Sequence, residues 1–563
     1  MALYVTEKKR GKRIAFYIIA FLLLLTTAFF LFVNRIIEPI LRQRLHTLII
    51  SGSDSLYQYR LGSLEANFLG GSVEVKDLHI KVDSSRYLKM AAAHALPSLT
   101  LQLHLQSGQI KGIGLIALLF EKKITIEEIV STSADIVLLR HIKEDDAPKN
   151  TEPLWKAIQP SIKSIAIKKV DLDGVKLLYK NADTTHAVKL QFDKCVGLFK
   201  DIQIDSLASI DTARIGFTRS IFMQFNDLKF RTPDSSYKMK AGNIVYSSEA
   251  QTLVMDSFKL QPTLKEKEDF YKAAALQKTM NVVELDRVKL TGFRLDHFIN
   301  NNIIAADSVF MLRPAVSIYK DKTYPPETES KIGRYPHQLL LQAASTVVVK
   351  SIIVQGAALT YVEKAEKTAR EGTFVMSDMD IQISNVTNDS NRIKQNALCK
   401  INATGKLLQS SPFSLSFSFF LDSAEGQFGA EGWVKNVSAN ELNTLVEPLT
   451  NNRLQSFNMQ QINFSVKGDN YSATSDVRMR YDHLFVLLRK TDEETGAVKT
   501  KKFLTKILNK FTLYDANPEP GGIERTAVNA SRVRLSSQGF FGLIWKAIFA
   551  GMQNIMMKSG RYD

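Results

Sequence analysis

Cysteine is nearly missing from this chain. Cys195 and Cys399 are the only two in 563 residues, which excludes a disulfide framework and leaves no paired-cysteine spacing for zinc; one long-range bridge and two buried free thiols both stay open. Catalytic signatures are missing too. No glycine-rich phosphate loop, H-E-x-x-H or G-x-S-x-G occurs, so phosphate cradling, zinc-assisted hydrolysis and an activated serine have no carrier. The nine histidines are scattered. His79, His94 and His104 lie near one another, but His104 falls on the polar side of an alternating strand and reads as solvated rather than as a ligand. The acidic runs Glu127-Glu128, Glu144-Asp145-Asp146 and Asp492-Glu493-Glu494 read as solvated turns. No catalytic residue, metal or cofactor is expected, and the chain does not read as an enzyme.

Long uncharged apolar runs are as scarce, with one exception. Ile14 to Val33 are 20 positions without a charge, which at about 1.5 Å per residue cross the roughly 30 Å hydrocarbon core of a bilayer as one helix. A cleaved signal peptide has a shorter core of ~7–15 residues and an A-x-A-like site that this chain lacks, so the run reads as a retained anchor. Lys8, Lys9, Arg10, Lys12 and Arg13 precede it, against Arg35, Arg42 and Arg44 after it. That bias puts residues 1–13 in the cytoplasm and the body outside. The net charge of +16 is spread over the whole chain and marks no nucleic-acid patch; an extracytoplasmic body also argues against nucleic acid. A hydrophobic content of 45% excludes wholesale disorder.

What the chain does contain is a repeat. Lys76-Asp77-Leu78-His79-Ile80 followed by Asp83-Ser84-Ser85 is echoed by Asn226-Asp227-Leu228-Lys229-Phe230 followed by Asp234-Ser235-Ser236. Gly112-Ile113-Gly114-Leu115 matches Gly292-Phe293-Arg294-Leu295, an offset of 292 − 112 = 180, and Ala134 to Leu138 matches Pro314 to Ile318 at the same offset. Lys163 to Ile167 resembles Lys350 to Val354, and Asp201-Ile202-Gln203-Ile204 recurs as Asp380-Ile381-Gln382-Ile383. Blocks that keep their order argue for duplication of a large β-rich unit. The two Asp-Ser-Ser motifs read as turn chemistry, their side chains satisfying nearby amides.

Short runs of alternating polarity fill the body. Leu99, Leu101, Leu103 and Leu105 alternate with Thr100, Gln102, His104 and Gln106, and Phe413, Leu415, Phe417 and Phe419 alternate with serines, so each set takes one face of a strand. Helical stretches are few: Leu115 to Lys123, Leu154 to Gln159, Glu266 to Lys278, Gln338 to Ala344, and one begun by the capping box Ser438-x-x-Glu441. The organisation expected is a cytoplasmic tail at 1–13, a span at 14–33, β-rich repeats at 55–210 and 211–396, a C-terminal β module at 397–535 and an amphipathic helix at 538–557. In that last segment Phe541, Ile544, Trp545, Ile548 and Met552 make an interfacial face, with a core-packing terminal helix as the plainer alternative.

The opening Gly71-Ser72-Val73-Glu74-Val75-Lys76-Asp77-Leu78 and the C-terminal blocks Glu431-Gly432-Trp433-Val434, Leu442-Asn443-Thr444-Leu445, Phe464-Ser465-Val466-Lys467-Gly468-Asp469 and Met479 to Leu484 resemble the AsmA-like family. These are inner-membrane-anchored periplasmic proteins of Gram-negative bacteria, related to bridge-like β-groove lipid transfer proteins. The resemblance implies a single-pass inner-membrane protein with a periplasmic body folded as an elongated, strongly bent antiparallel β-sheet, and a role in phospholipid transport or outer-membrane homeostasis. Its implied partners are phospholipid, the inner membrane, and outer-membrane or other envelope proteins. A bent sheet with alternating strands can line a trough for acyl chains, and the expected lining is Leu99, Leu101, Leu103, Leu105, Phe413, Leu415, Phe417 and Phe419. The competing reading is a membrane-anchored envelope scaffold that binds proteins through sheet edges and carries no lipid. An apolar interior open to water favours the first, and a closed, side-chain-filled core the second.

Overall fold

The structure is a computed structural model that describes residues 39, 42–43, 46, 49–50 and 53–558, apart from 68–69, 94, 98, 115–120, 142–155, 157–162, 182–187, 233 and 492–497. The expected span at 14–33 lies outside the described residues, among which no helix is long and apolar enough to cross a membrane. Two compact units divide the chain, residues 1–230 with 245–249 and residues 231–244 with 250–563. The fold is mainly β, a long mixed sheet with a few short helices.

The first unit contains β1 (Tyr57–Asn67), β2 (Ser72–Val82), α1 (Ser84–Ala92), β3 (Leu99–Lys111), β4 (Lys123–Arg140), β5 (Ser164–Asn181), β6 (Val188–Ile204) and β7 (Thr218–Arg231). Isoleucine and valine recur along β4, where branched side chains suit a pleated surface. Each strand pairs with the next, and all pairs are antiparallel except β4 with β5, which run parallel. The expected antiparallel sheet is therefore corrected to a mixed one. Alternation sorts side chains between two faces whatever the strand direction, while parallel pairing needs a long crossover, here residues 141–163.

In the second unit the strands are β8 (Tyr237–Ser247), β9 (Thr252–Pro262), β10 (Thr279–Thr291), β11 (Ile303–Leu312), β12 (Ala315–Asp321), β13 (Thr346–Lys364), β14 (Glu371–Thr387), β15 (Leu398–Leu407), β16 (Ser411–Phe420), β17 (Phe428–Ser438), β18 (Arg453–Gly468), β19 (Ser472–Leu487) and, late in the chain, β20 (Thr526–Val533). Helices α2 (Lys267–Ala274), α3 (Leu295–Asn301), α4 (Pro336–Leu341), α5 (Ala439–Thr450) and α6 (Phe540–Met556) punctuate them. Both β11 and β12 pair antiparallel with β10 and parallel with β13. The capping box at α5 is present: the Ser438 hydroxyl accepts the Glu441 N–H at 3.4 Å, and the Glu441 carboxylate accepts the Ser438 N–H at 3.0 Å.

Local geometry recurs at an offset of 180 between the units. The Leu101 N–H donates to the Tyr57 hydroxyl at 3.1 Å, and the Asn281 N–H to the Tyr237 hydroxyl at 3.1 Å. Asp83 N–H donates to the Leu56 carbonyl at 2.8 Å, as Thr263 N–H does to that of Ser236 at 2.8 Å. Left-handed residues sit at Asp77 and Ser257, with φ 52° and 55°, and at Gly112 and Gly292, with φ 65° and 67°. Opposite the first pair stand glycines. A Cβ on Gly62 would lie 2.9 Å from that of Asp77, and one on Gly242 would lie 3.2 Å from that of Ser257. This register corrects four sequence matches. Asp77 corresponds to Ser257 rather than to Asp227, and residues 163–167 correspond to 345–349 rather than to 350–354, because Lys123 pairs with Ser164 as Ile303 does with Thr346. Asp234-Ser235 corresponds to Asp54-Ser55, where Ser235 and Ser55 share φ of 58° and 60°, whereas Asp83 caps α1 by accepting the Arg86 N–H at 2.7 Å. Asp201 corresponds to Asn385 rather than Asp380, because Ile202 and Val386 face equivalent positions, Ile167 and Val349, on β5 and β13. Short polar motifs recur wherever a turn or a cap needs an acceptor, so they align less reliably than backbone conformation does.

The second unit has a filled core. Along α6, Leu543, Ala547 and Ile555 have no exposed surface and fall at helical spacing with Gly551, whose Cβ would meet Val477 at 2.4 Å. The small residues let the helix lie close on β19, where the Ser475 hydroxyl donates to the Ala547 carbonyl at 2.7 Å. Phe540 packs among Tyr335, Phe419 and Phe428 at ring separations of 5.0, 5.4 and 4.9 Å. Beside them His337 is 3% exposed, and neither ring nitrogen has a hydrogen-bond partner among the described residues. Burial pushes its pKa down to about 4. An unfolded imidazole takes up a proton below about pH 6.5, so the unfolded state binds more protons between there and pH 4 and stability falls as the pH drops through that window. We expect His337→Phe to remove on the order of 2–3 kcal/mol of the loss between pH 7 and 4.5, measured by urea unfolding at both values. Equal pH dependence in the two proteins would refute this.

Candidate functional site

Residues directly paired on neighbouring strands share a face, and in the first unit three apolar rows cross the sheet. The middle row is Leu61, Leu78, Leu105, Ala134, Val175, Cys195 and Phe225. On one side of it run Tyr59, Ile80, Leu103, Ile136, Leu177 and Phe192. Beyond them come Leu101, Leu138, Tyr179, Leu190 and Phe230. Leu78, Ala134 and Val175 are buried, and every other member is half-buried. Helix α1 buries none of its residues, and the ring of His46 lies 6.0 Å from that of Tyr59 in the second row. The other face carries a polar row, Arg60, His79, His104, Asp135 and Lys176, paired in succession across β1 to β5, and beside it a mixed row of Gln102, Val137, Leu178 and Gln191.

Three of the expected β3 residues, Leu101, Leu103 and Leu105, thus lie on one continuous apolar surface. Leu99 extends the strand, its backbone opposite Arg140. The β16 set is placed differently, in the second unit. Phe413 is 2% and Phe419 3% exposed, withdrawn into side-chain-filled clusters against which Leu415 and Phe417 pack. Alternation could not separate these cases, because an open face and a closed core impose the same period. The expected interfacial face of the C-terminal helix also divides. Ile544 and Ile548 are buried and Met552 is half-buried, whereas Phe541 and Trp545 are 68% and 57% exposed. Because α6 is apolar nearly all round, its core-facing side is fixed by the small residues Ala547 and Gly551 rather than by polarity. Cys195 and Cys399 are free thiols, and burial pushes both up to about 11, which leaves them poor nucleophiles.

One cluster escaped sequence reading. Asp77 and His79 follow each other on the polar face of β2, and His104 is the direct cross-strand partner of His79. Both imidazole Nε2 atoms converge on Asp77 Oδ1, at 2.8 and 3.2 Å, and the rings stack at 3.9 Å with 11° between their planes. Hydrogen bonds from His79 and then His104 hold the Asp77 carboxyl below the usual carboxylate range. Asp77 and His104 are 27 residues apart in sequence, and only the β2–β3 register joins them.

No protein-family model matches the chain, and no curated protein matches it.

The two apolar surfaces make distinct demands on stability. Leu543→Ala, at a fully buried site, should cost about 3 kcal/mol. Leu103→Ala on the half-buried face should cost about 1 kcal/mol, with each unit followed by hydrogen exchange in urea. Equal costs would mean that the first unit's face is a closed interior.

Proposed function

We propose that the chain is a membrane-anchored, lipid-handling protein of the AsmA-like kind that holds phospholipid acyl chains against the apolar face of its first unit. The observation that carries this reading is the set of partly buried apolar rows crossing β1 to β7. Each methylene that leaves water for such a surface contributes about 0.8 kcal/mol, and a chain lying across successive strands can slide without any bond being made or broken. The uncharged run at 14–33 would start that path at a bilayer, with the body on the periplasmic side of an inner membrane. Bending of the sheet into a groove would give the acyl chains walls while headgroups stay in water. The functional role proposed is phospholipid transport or maintenance of the outer membrane.

A second reading, the envelope scaffold without lipid cargo, draws support from the filled core of the second unit and from the exposed rings of Phe541, Trp545 and Phe549 on α6. The two readings separate experimentally. A photo-crosslinker at Leu103 should capture phospholipid in cells, one at Leu543 should not, and native mass spectrometry of detergent-extracted protein should show co-purifying phospholipid. Leu103→Asp places an unpaired carboxylate in the path at a cost of several kcal/mol to a bound chain. It should lose the lipid while far-UV circular dichroism is unchanged. Folded, functional protein that never yields a lipid adduct at Leu103 would transfer the assignment to the scaffold.

A further inference from the structure

We propose that Asp77, His79 and His104 form a binding site for a divalent first-row transition-metal ion on the polar face of the first unit. The site is independent of the lipid-handling proposal, since its residues point away from the apolar rows. Three ligand atoms converge there: one nitrogen from each imidazole and a carboxylate oxygen lie within 4.8 Å of one another. The Nε2 atoms stand 2.8 and 3.2 Å from Asp77 Oδ1. Metal–ligand bonds of about 2.0–2.2 Å set neighbouring ligands about 3 Å apart, so an ion is admitted when the two rings, now stacked with 11° between their planes, turn to aim both nitrogens at one point. Two imidazoles and a carboxylate suit zinc, nickel or copper and not calcium or magnesium, which take all-oxygen shells.

Behind the pair, an oxygen of the Asp135 carboxylate lies 4.0 Å from His104 Nδ1, on the side from which a carboxylate orients a metal-binding histidine. Side-chain exposures of 50% for Asp77, 30% for His79 and 41% for His104 leave room for water to complete the coordination.

The fold itself does not require these residues. At the offset of 180, Asp77, His79 and His104 correspond to Ser257, Lys259 and Glu284, and there Lys259 and Glu284 are cross-strand partners joined by an ordinary ion pair. The same backbone, with the same left-handed residue against a glycine, is thus built with common surface chemistry in the second unit. The first unit has two imidazoles and a carboxylate in its place.

That correspondence supplies a variant designed to keep the fold. The full chain in detergent is titrated with zinc chloride by calorimetry, and separately with cobalt chloride while the visible absorption bands of the bound ion are recorded. Wild type should bind one equivalent and develop cobalt bands. His79→Lys combined with His104→Glu installs the second unit's ion pair, and should weaken zinc binding more than ~10-fold and abolish the bands, with circular dichroism unchanged. Asp135→Asn, which removes the carboxylate behind His104, should weaken binding ~10-fold or more. The proposal is overturned by wild type that binds neither ion, by a double variant that binds zinc as tightly as wild type, or by cobalt bands that persist in His104→Gln. This single change needs no new ion pair and guards against misfolding of the double variant.

Discussion

A β-sheet with one apolar face must cover it, and that constraint governs both halves of this protein. Backbone hydrogen bonds tie long strands edge to edge but do nothing for the side chains above and below them. In the second unit α5 and α6 lie over the sheet, and Leu543, Ala547 and Ile555 are sealed from water. In the first unit the rows through Leu101, Leu103 and Leu105 are half-buried. The same alternating strand language therefore ends in two physical states, set by whether a helix with the right small residues follows to close the layer.

Much of this was legible in the sequence. Leucine alternation in β3 located an apolar face, Ser438 and Glu441 announced a helix start, and the Gly112–Gly292 match carried the offset that the backbone conformations share. Other features had no sequence signal. Strand direction leaves alternation unchanged, so the parallel pairs at β4–β5 and β11–β13 could not be foreseen. Asp83 and Asp234 look alike in one dimension because caps and turns both use an acid side chain as acceptor. The burial of Phe413 and Phe419 depends on what packs over them. His79 and His104 meet only through strand register, which the chain does not write locally.

Local geometry that recurs at the offset of 180 gives an internal control. Where the two units agree, as in the tyrosine hydroxyls at Tyr57 and Tyr237 that each accept a strand N–H, the feature belongs to the scaffold. Positions that differ, as between the histidine pair and the Lys259–Glu284 ion pair, are free to carry function. By that criterion the Gly62–Asp77 and Gly242–Ser257 contacts are scaffold, and the chemistry mounted beside them is not.

The parallel seam between β4 and β5 also bears on how the chain folds. Lys123 pairs with Ser164 and Arg140 with Asn181, so every contact of that seam spans 41 residues, whereas the antiparallel neighbours of β4 and β5 are joined by shorter turns. Closing a 41-residue loop costs about 3 kcal/mol of chain entropy, roughly 2 kcal/mol more than closing a four-residue hairpin. Hairpins such as β1–β2, where Asn67 pairs with Ser72, therefore have the advantage early, and the seam closes once both its sides exist. During synthesis, an N-terminal sheet ending at β4 must wait for β5 with its edge exposed, which makes that edge the point where a stalled chain is most open to pairing with another.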